Sequence, residues 1–263
     1  KHAVEGEKWA NDIDGAANVF SPRFHKSLRY AENHDEVRLA SKQNWTGAGM
    51  EIGRPVSAIL FGLGRGPIML YNGQEVGEKA DGTEGFSGDD GRSSIFDYWS
   101  LPSLTRWVND HQYDGARLTK AQKDLRGYYR RLLKVCAEPA FTRGDFYGLN
   151  HANKDNEQYG RFSGEAVSGR WLYCYLRRDS KSGQAFLVIA NIHPSKDMKG
   201  IRIMLPEDAI QWLDIDLEHK NQLTFADQLG SKFNIVTASD RLFSEGIEIK
   251  HFPAKTAVYL KLH

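Results

Sequence analysis

Asn33, His34 and Asp35 are consecutive, and Glu75 closes a second polar run with Asn72, Gly73 and Gln74. A carboxylate flanked by an imidazole and a carboxamide can hold an uncharged polyhydroxyl ligand through hydrogen bonds. It can also stabilise positive charge. Two carboxylates beside a sugar ring favour an oxocarbenium-like transition state, because the attraction is strongest when the charge develops. Packing offers competing accounts, in which Asp35 caps a helix and Glu75 bonds loop amides. The Asn-His-Asp clustering favours chemistry at Asp35, while both accounts stay open for Glu75.

Each cluster follows a short apolar run. Leu28, Tyr30 and Ala31 lead into Glu32 to Glu36, and Pro67 to Tyr71 leads into Asn72. Both runs predict interior strands whose carboxyl ends meet at one rim, where barrel enzymes keep their chemistry. Between them Pro55 opens a predicted helix through Val56, Ile59, Leu60 and Leu63, ended by Gly64 to Gly66. The glycines at 62, 64 and 66 do not make a phosphate loop, which needs a strand before them and a helix after them.

Upstream, Trp9, Ile13, Ala16, Ala17 and Phe20 fall at helical spacing, with Gly15 as the weak point and Ser21-Pro22 as the end. The stretch 37–50 reads as a surface loop whose exposed Trp45 could stack on a flat ligand. Asn44-Trp45-Thr46 is also a glycosylation sequon, a triplet common by chance. Residues 75–92 read as a long rim loop. In 94–107, interrupted by Pro102, the aromatics Phe96, Tyr98 and Trp99 suit either packing or substrate lining. Leu118, Ala121, Leu125, Tyr128, Leu132 and Cys136 form one helical stripe. This alternation predicts parallel α/β architecture.

The period changes after Pro139 to Arg143. Leu172, Cys174 and Leu176 alternate with Trp171, Tyr173 and Tyr175; Ala185 to Ala190 is an apolar run, and Ile201, Ile203, Leu205, then Ile247, Ile249, then Val258, Leu260, Leu262 alternate again. That half predicts an antiparallel β sandwich.

With 35 basic and 34 acidic residues the formal charge is +1, which gives no footprint for nucleic acid or an anionic membrane. A neutral substrate fits better. No apolar stretch approaches the roughly 20 residues of a membrane span. Cys136 and Cys174 sit in apolar patterns without CxxC spacing and read as buried free thiols. The opening at Lys1, without methionine or leader, reads as processing or truncation.

Tyr30 to Asp35, YAENHD, resembles the strand-seven motif of the α-amylase family of glycoside hydrolases, and Gly66 to Glu75, GPIMLYNGQE, resembles its strand-eight motif. The order and the intervening helix match as well. The resemblance implies a retaining hydrolase or transglycosylase acting on α-linked glucans, with Asp35 as the third catalytic carboxylate, binding the 2- and 3-hydroxyls of the glucosyl unit. It places His34 and Asn33 on that sugar, with Arg92, Asp90 and Trp45 as further substrate contacts. Glu75, Tyr71 and Gly73 would be structural residues of the rim.

The family's nucleophile and general acid lie on earlier strands, which nothing before Ser27 supplies. A whole (β/α)8 barrel takes about 250 residues, so the resemblance implies the last part of a TIM barrel over residues 1–143 and a β-sandwich domain over 144–263. The remaining barrel strands would then be a partner segment, and without it strand edges and an apolar face would be uncovered. No organic cofactor is implied. Calcium serves many family members, but Asp89 and Asp90 beside Gly88 and Gly91 do not make a convincing loop. Two rival readings are a non-catalytic glucan-binding module using Trp45, Trp99 and Trp107, and a degenerate barrel kept as a scaffold.

Overall fold

The computed structural model describes residues 1–82, 91–93, 100–215 and 219–263. Its helices before the sheet are α1 (Ile13–Ala17), α2 (Gly53–Leu63), α3 (Pro102–Val108), α4 (Lys120–Cys136) and α5 (Pro139–Thr142). Strands β1 (Asp145–Gly148), β2 (Leu172–Asp179), β3 (Gln184–Asn191) and β4 (Met198–Ile203) follow, then α6 (Glu207–Leu213), β5 (Gln222–Asp227), β6 (Asn234–Ala238), α7 (Ser239–Glu245), β7 (Ile247–Phe252) and β8 (Thr256–Leu262). The molecule is a mixed helix and sheet protein whose sheets are antiparallel. Six strands run in the order β1-β2-β3-β8-β5-β6, and β4 pairs with β7.

The period-two pattern sorts the central sheet into two buried faces. Leu172, Cys174, Leu176, Leu187, Ile189, Val258 and Leu260 pack with Ile201 and Ile203 of β4 and Ile247 and Ile249 of β7. Tyr173, Tyr175, Phe186, Val188 and Tyr259 face the other way, onto Ile59, Leu63, Leu132, Val135 and Phe141 of the helical layer. One apolar core therefore joins residues from both halves of the chain. Tyrosine suits this face because each ring fills volume while its hydroxyl needs a partner. Tyr175 and Tyr259 both donate to the carbonyl of Ala58, at 3.0 and 2.6 Å. Gly62 makes the approach possible, since a Cβ there would lie 2.0 Å from the Tyr175 hydroxyl.

Arg177 closes the seam. Fully buried, it donates to the carbonyls of Leu63 (2.7 Å), Ala140 (3.1 Å), Phe141 (3.2 Å) and Gly144 (2.8 Å), tying the end of α2 to α5 and β1. Burial brings its pKa down to about 10, so it stays charged at neutral pH. The two thiols are buried and free, as the sequence predicts.

α2 and α4 form where the apolar spacing predicts them. α4 begins with a capping box, in which the Thr119 hydroxyl accepts from the Gln122 N–H and the Gln122 side chain accepts from the Thr119 N–H. Elsewhere the expectations fail. The helix predicted from Trp9 to Phe20 is a single 3-10 turn followed by α1, ended by Asn18 in the left-handed region, and Phe20 is 93% exposed. The two predicted interior strands reduce to one parallel bridge between Arg29 and Ile68, with Leu28 and Tyr30 exposed. Among the described residues these two runs have only each other, and no ladder extends beyond the single bridge. Trp45 is not on the surface either. It is 5% exposed and belongs to the helical core.

Candidate functional site

The parallel bridge sets the two polar clusters side by side. Arg29 donates to the Pro67 carbonyl and accepts from Met69, both at 2.9 Å, so both runs deliver their polar ends in the same direction. Immediately after the first run, Glu32 turns inward and is 1% exposed. It meets the wholly buried Arg38 at 2.8 Å and accepts the Leu39 N–H at 2.6 Å. Burial pushes the Glu32 carboxyl above its usual range, against the opposing pull of Arg38 and that N–H.

Arg38 then gathers the rim. Its Nε donates to Ser93 Oγ at 2.7 Å, its backbone N–H donates to the Gly91 carbonyl at 2.7 Å, and its guanidinium lies 4.3 Å from the centre of the Tyr71 ring. Tyr71 donates to the Ser93 carbonyl at 3.2 Å. Arg92, half-buried, is thus held between two residues that Arg38 anchors. Burial raises the Tyr71 hydroxyl pKa, Arg38 opposes, and the charges of Glu32 and Asp35 add to the rise. Asp35 is therefore within electrostatic reach of Tyr71.

On this base Asn33 Oδ1 accepts from the N–H groups of both Asp35 and Glu36 at 2.8 Å, an Asx turn that aims the following side chains outward. His34 Nε2 lies 3.4 Å from Asp35 Oδ1, and the Asp35 side chain is 73% exposed. An exposed carboxylate beside an imidazole, held by a buried ion pair, is open to a solvent-borne ligand.

At the second cluster, Gly73 takes φ +84°, and a Cβ there would crowd Glu78 Cβ at 3.0 Å. Glu75 is half-buried; burial pushes its carboxyl upward, while its own and the Gly73 N–H groups and the fields of Arg126 and Arg38 oppose. The helix-bonding carboxylate of this loop is Glu78. It is 2% exposed, and its Oε2 accepts from Ser103 (2.8 Å) and Leu104 (3.2 Å) at the start of α3. Gln74, also buried, donates to Ser57 Oγ and to the Tyr129 hydroxyl, both at 3.0 Å. The sequence reading assigns no role to Glu32, Arg38, Gln74 or Glu78. Glu32 and Gln74 lie inside the two motifs and Arg38 and Glu78 three residues beyond them, which is the one signal that could have flagged them.

The remaining expected contacts divide. Trp45, buried, cannot offer a free stacking face; with Tyr30, Ala31 and Ile59 it lines a mainly apolar cavity of about 270 Å³. Trp107 is half-buried under Arg126, 4.8 Å from its ring centre. Asp90, the Asp89 and Asp90 calcium suggestion, and Trp99 lie outside the described residues. Among the described residues one group has metal-ligand spacing, His2 with Glu5 and Glu7. Its members are already engaged, Glu5 with the Trp45 N–H and Glu7 with His2. No described helix is long and apolar enough to cross a membrane.

The sequence matches no protein-family model and no curated protein. Solved structures do match. A noncanonic maltogenic α-amylase, AmyB, from Thermotoga neapolitana superposes with a TM-score of 0.57 at 14% identity, over 99% of this chain and 47% of that one. CldA, a cyclomaltodextrin glucanotransferase with a three-domain ABC distribution, gives 0.52 at 16% identity over 99% and 42%. A γ-cyclodextrin glucanotransferase (Gamma-CGTASE) from alkalophilic Bacillus clarkii gives 0.54 at 14% over 99% and 30%. The fold is that of part of an α-amylase family enzyme. The chain spans less than half the length of these structures.

Proposed function

We propose that this chain is the C-terminal portion of a retaining glycoside hydrolase or transglycosylase acting on α-linked glucans. Residues 1–143 contribute the last strands and helices of its (β/α)8 barrel, and 144–263 form the β-sandwich domain behind it. Asp35 is the carboxylate that stabilises the oxocarbenium-like transition state. His34 and Asn33 border the same glucosyl unit, Arg92 binds further along the glucan, and Tyr71, Gly73 and Glu75 shape the rim. The nucleophile and the general acid come from additional barrel strands beyond this segment.

The observation that carries the reading is the parallel bridge of Arg29 with Ile68, which puts the Asn-His-Asp triplet and the Tyr71 to Glu75 run at the same end of neighbouring segments. The chain's span of under half of the matched enzymes, together with the exposed Leu28 and Tyr30, supports a partner segment covering this edge. The buried Trp45 counts against a stand-alone glucan-binding module, whose stacking platforms must be accessible.

The test is Asp35→Asn in the complete enzyme, assayed on maltooligosaccharides. Turnover is expected to fall by about 100-fold or more, with an unchanged circular dichroism spectrum. Near-normal hydrolysis by that variant rejects the assignment.

A further inference from the structure

We infer that the outer face of α4 carries a binding site for a phosphate group, away from the strand-end rim. Along this helix stand Lys120, Lys123, Arg126, Arg130, Arg131 and Lys134 against a single acid, Asp124, in a chain whose net charge is only +1. Asp124 is already committed to Lys120, at 3.4 Å. Two clefts open here, of about 300 and 250 Å³. Arg54 and Arg131 wall the first, Trp107 and Arg126 wall the second, and they meet at Lys123 and Gly127.

Two features of the clefts bear on what they could hold. Arg54 lines the first cleft beside Asp124, and Arg126 lines the second beside Asp114, so in each cleft the cations outnumber the single acid. Both guanidinium groups are oriented by rings beneath them, Arg54 over Tyr128 at 5.7 Å and Arg126 over Trp107 at 4.8 Å. The second feature is Gly127. A helix interior disfavours glycine relative to alanine, and Gly127 is not among the glycines with positive φ. Space does not require it either, since a Cβ would meet only Arg131 Nη1, at 3.4 Å. Gly127 lines both clefts.

Arg131 is anchored through Nε to the Leu229 carbonyl, and its Nη1 reaches over Gly127. Guanidinium groups and an ammonium lining a concave, solvent-open site match the several acceptor oxygens of a phosphate. A long polyanion or an anionic membrane would call for an extended positive field, which a nearly neutral chain lacks.

Isothermal titration of the full chain at about 0.15 M salt, where distant charges are screened within roughly 8 Å, tests the site with two probes: orthophosphate and glucose 6-phosphate, with glucose as the neutral control. Saturable binding is expected, weakened at least about tenfold in Lys123→Gln/Arg131→Gln, the loss of one charged hydrogen bond. Tighter binding of glucose 6-phosphate assigns the site to sugar phosphates, and binding of orthophosphate alone assigns it to free phosphate. Gly127→Gln fills the junction with a good helix former, so it is expected to raise the melting temperature while weakening binding. The proposal is overturned by absence of saturable binding of either probe, or by unchanged affinity in the double variant or in Gly127→Gln.

Discussion

Arg38 and Arg177 are both wholly buried, yet their charges are balanced in opposite ways. At the rim, Arg38 has a counter-ion, Glu32, donates through Nε to Ser93 and lays its face on Tyr71, while its Nη2 has no hydrogen-bond partner among the described residues. At the seam, Arg177 has no carboxylate within hydrogen-bond range among the described residues and is held by four carbonyl dipoles. The carbonyl cage fixes backbone to backbone. The ion pair fixes a node from which the turn from Asn33 to Glu36 projects. Deleting the caged arginine leaves neutral acceptors unpaired, whereas deleting the paired one leaves a buried charge.

Arg177→Met should cost the most. Four buried carbonyls lose charged donors, for a destabilisation of about 5 kcal/mol, measured by urea unfolding. A loss below about 2 kcal/mol would mean that water replaces the guanidinium, and the seam would not depend on it. Arg38→Met comes next, at about 3 kcal/mol. Its signature is recovery: adding Glu32→Leu should restore at least half of the loss, because the penalty is the stranded carboxylate. The sign with pH follows from the same group. Burial raises the folded pKa of Glu32 above 4.5, so the folded state holds the proton over a wider range. The Arg38→Met deficit should therefore shrink as pH falls toward 4.5, and a deficit independent of pH would break the contrast with Arg177.

His193 gives a smaller effect of opposite sign. Its Nδ1 accepts from the N–H groups of Ser195 (3.1 Å) and Lys196 (2.9 Å), and burial with the Lys196 charge pushes its pKa down to about 4. The unfolded chain protonates first, so stability is present above pH 6.5 and is lost as pH falls from 6.5 toward 4. The loss should be of the order of 1 kcal/mol after solvent screening, and His193→Gln should flatten that part of the melting-temperature profile.

These contrasts mark what could be read from the sequence. α4 and the alternating strands were legible because one periodicity fixes many side chains at once. The triplet Asn33-His34-Asp35 stood out because its polar groups are contiguous, and the proposal for Asp35 rests on it. Arg177 was not: it sits in a strand as one more alternating residue, and its partners come from Leu63 and the stretch 140–144. Glu32 and Arg38 were equally hidden, since six residues of irregular chain give no period to read. Leu28 and Tyr30 were misplaced for another reason. Their apolar pattern describes an interior strand, and the described residues supply only one neighbour, through Ile68. Trp45 looked exposed because polar residues and glycines surround it in sequence, yet tertiary packing buries it.

The smallest expected effect falls on the residue of greatest functional interest. Asp35 carries a side chain 73% exposed, and its contact with His34 at 3.4 Å is a surface pair. Such pairs contribute from nothing to about 1 kcal/mol. The turn that positions Asp35 uses its backbone N–H and the side chain of Asn33, both untouched by Asp35→Asn. That substitution should therefore leave the unfolding free energy within about 0.5 kcal/mol of wild type. Asn33→Ala removes the acceptor of two N–H groups and should cost more, about 1 kcal/mol. If urea unfolding reversed that order, Asp35 would be part of the node's stability, and the division between a buried arginine that holds the rim and an exposed carboxylate that does not would fail.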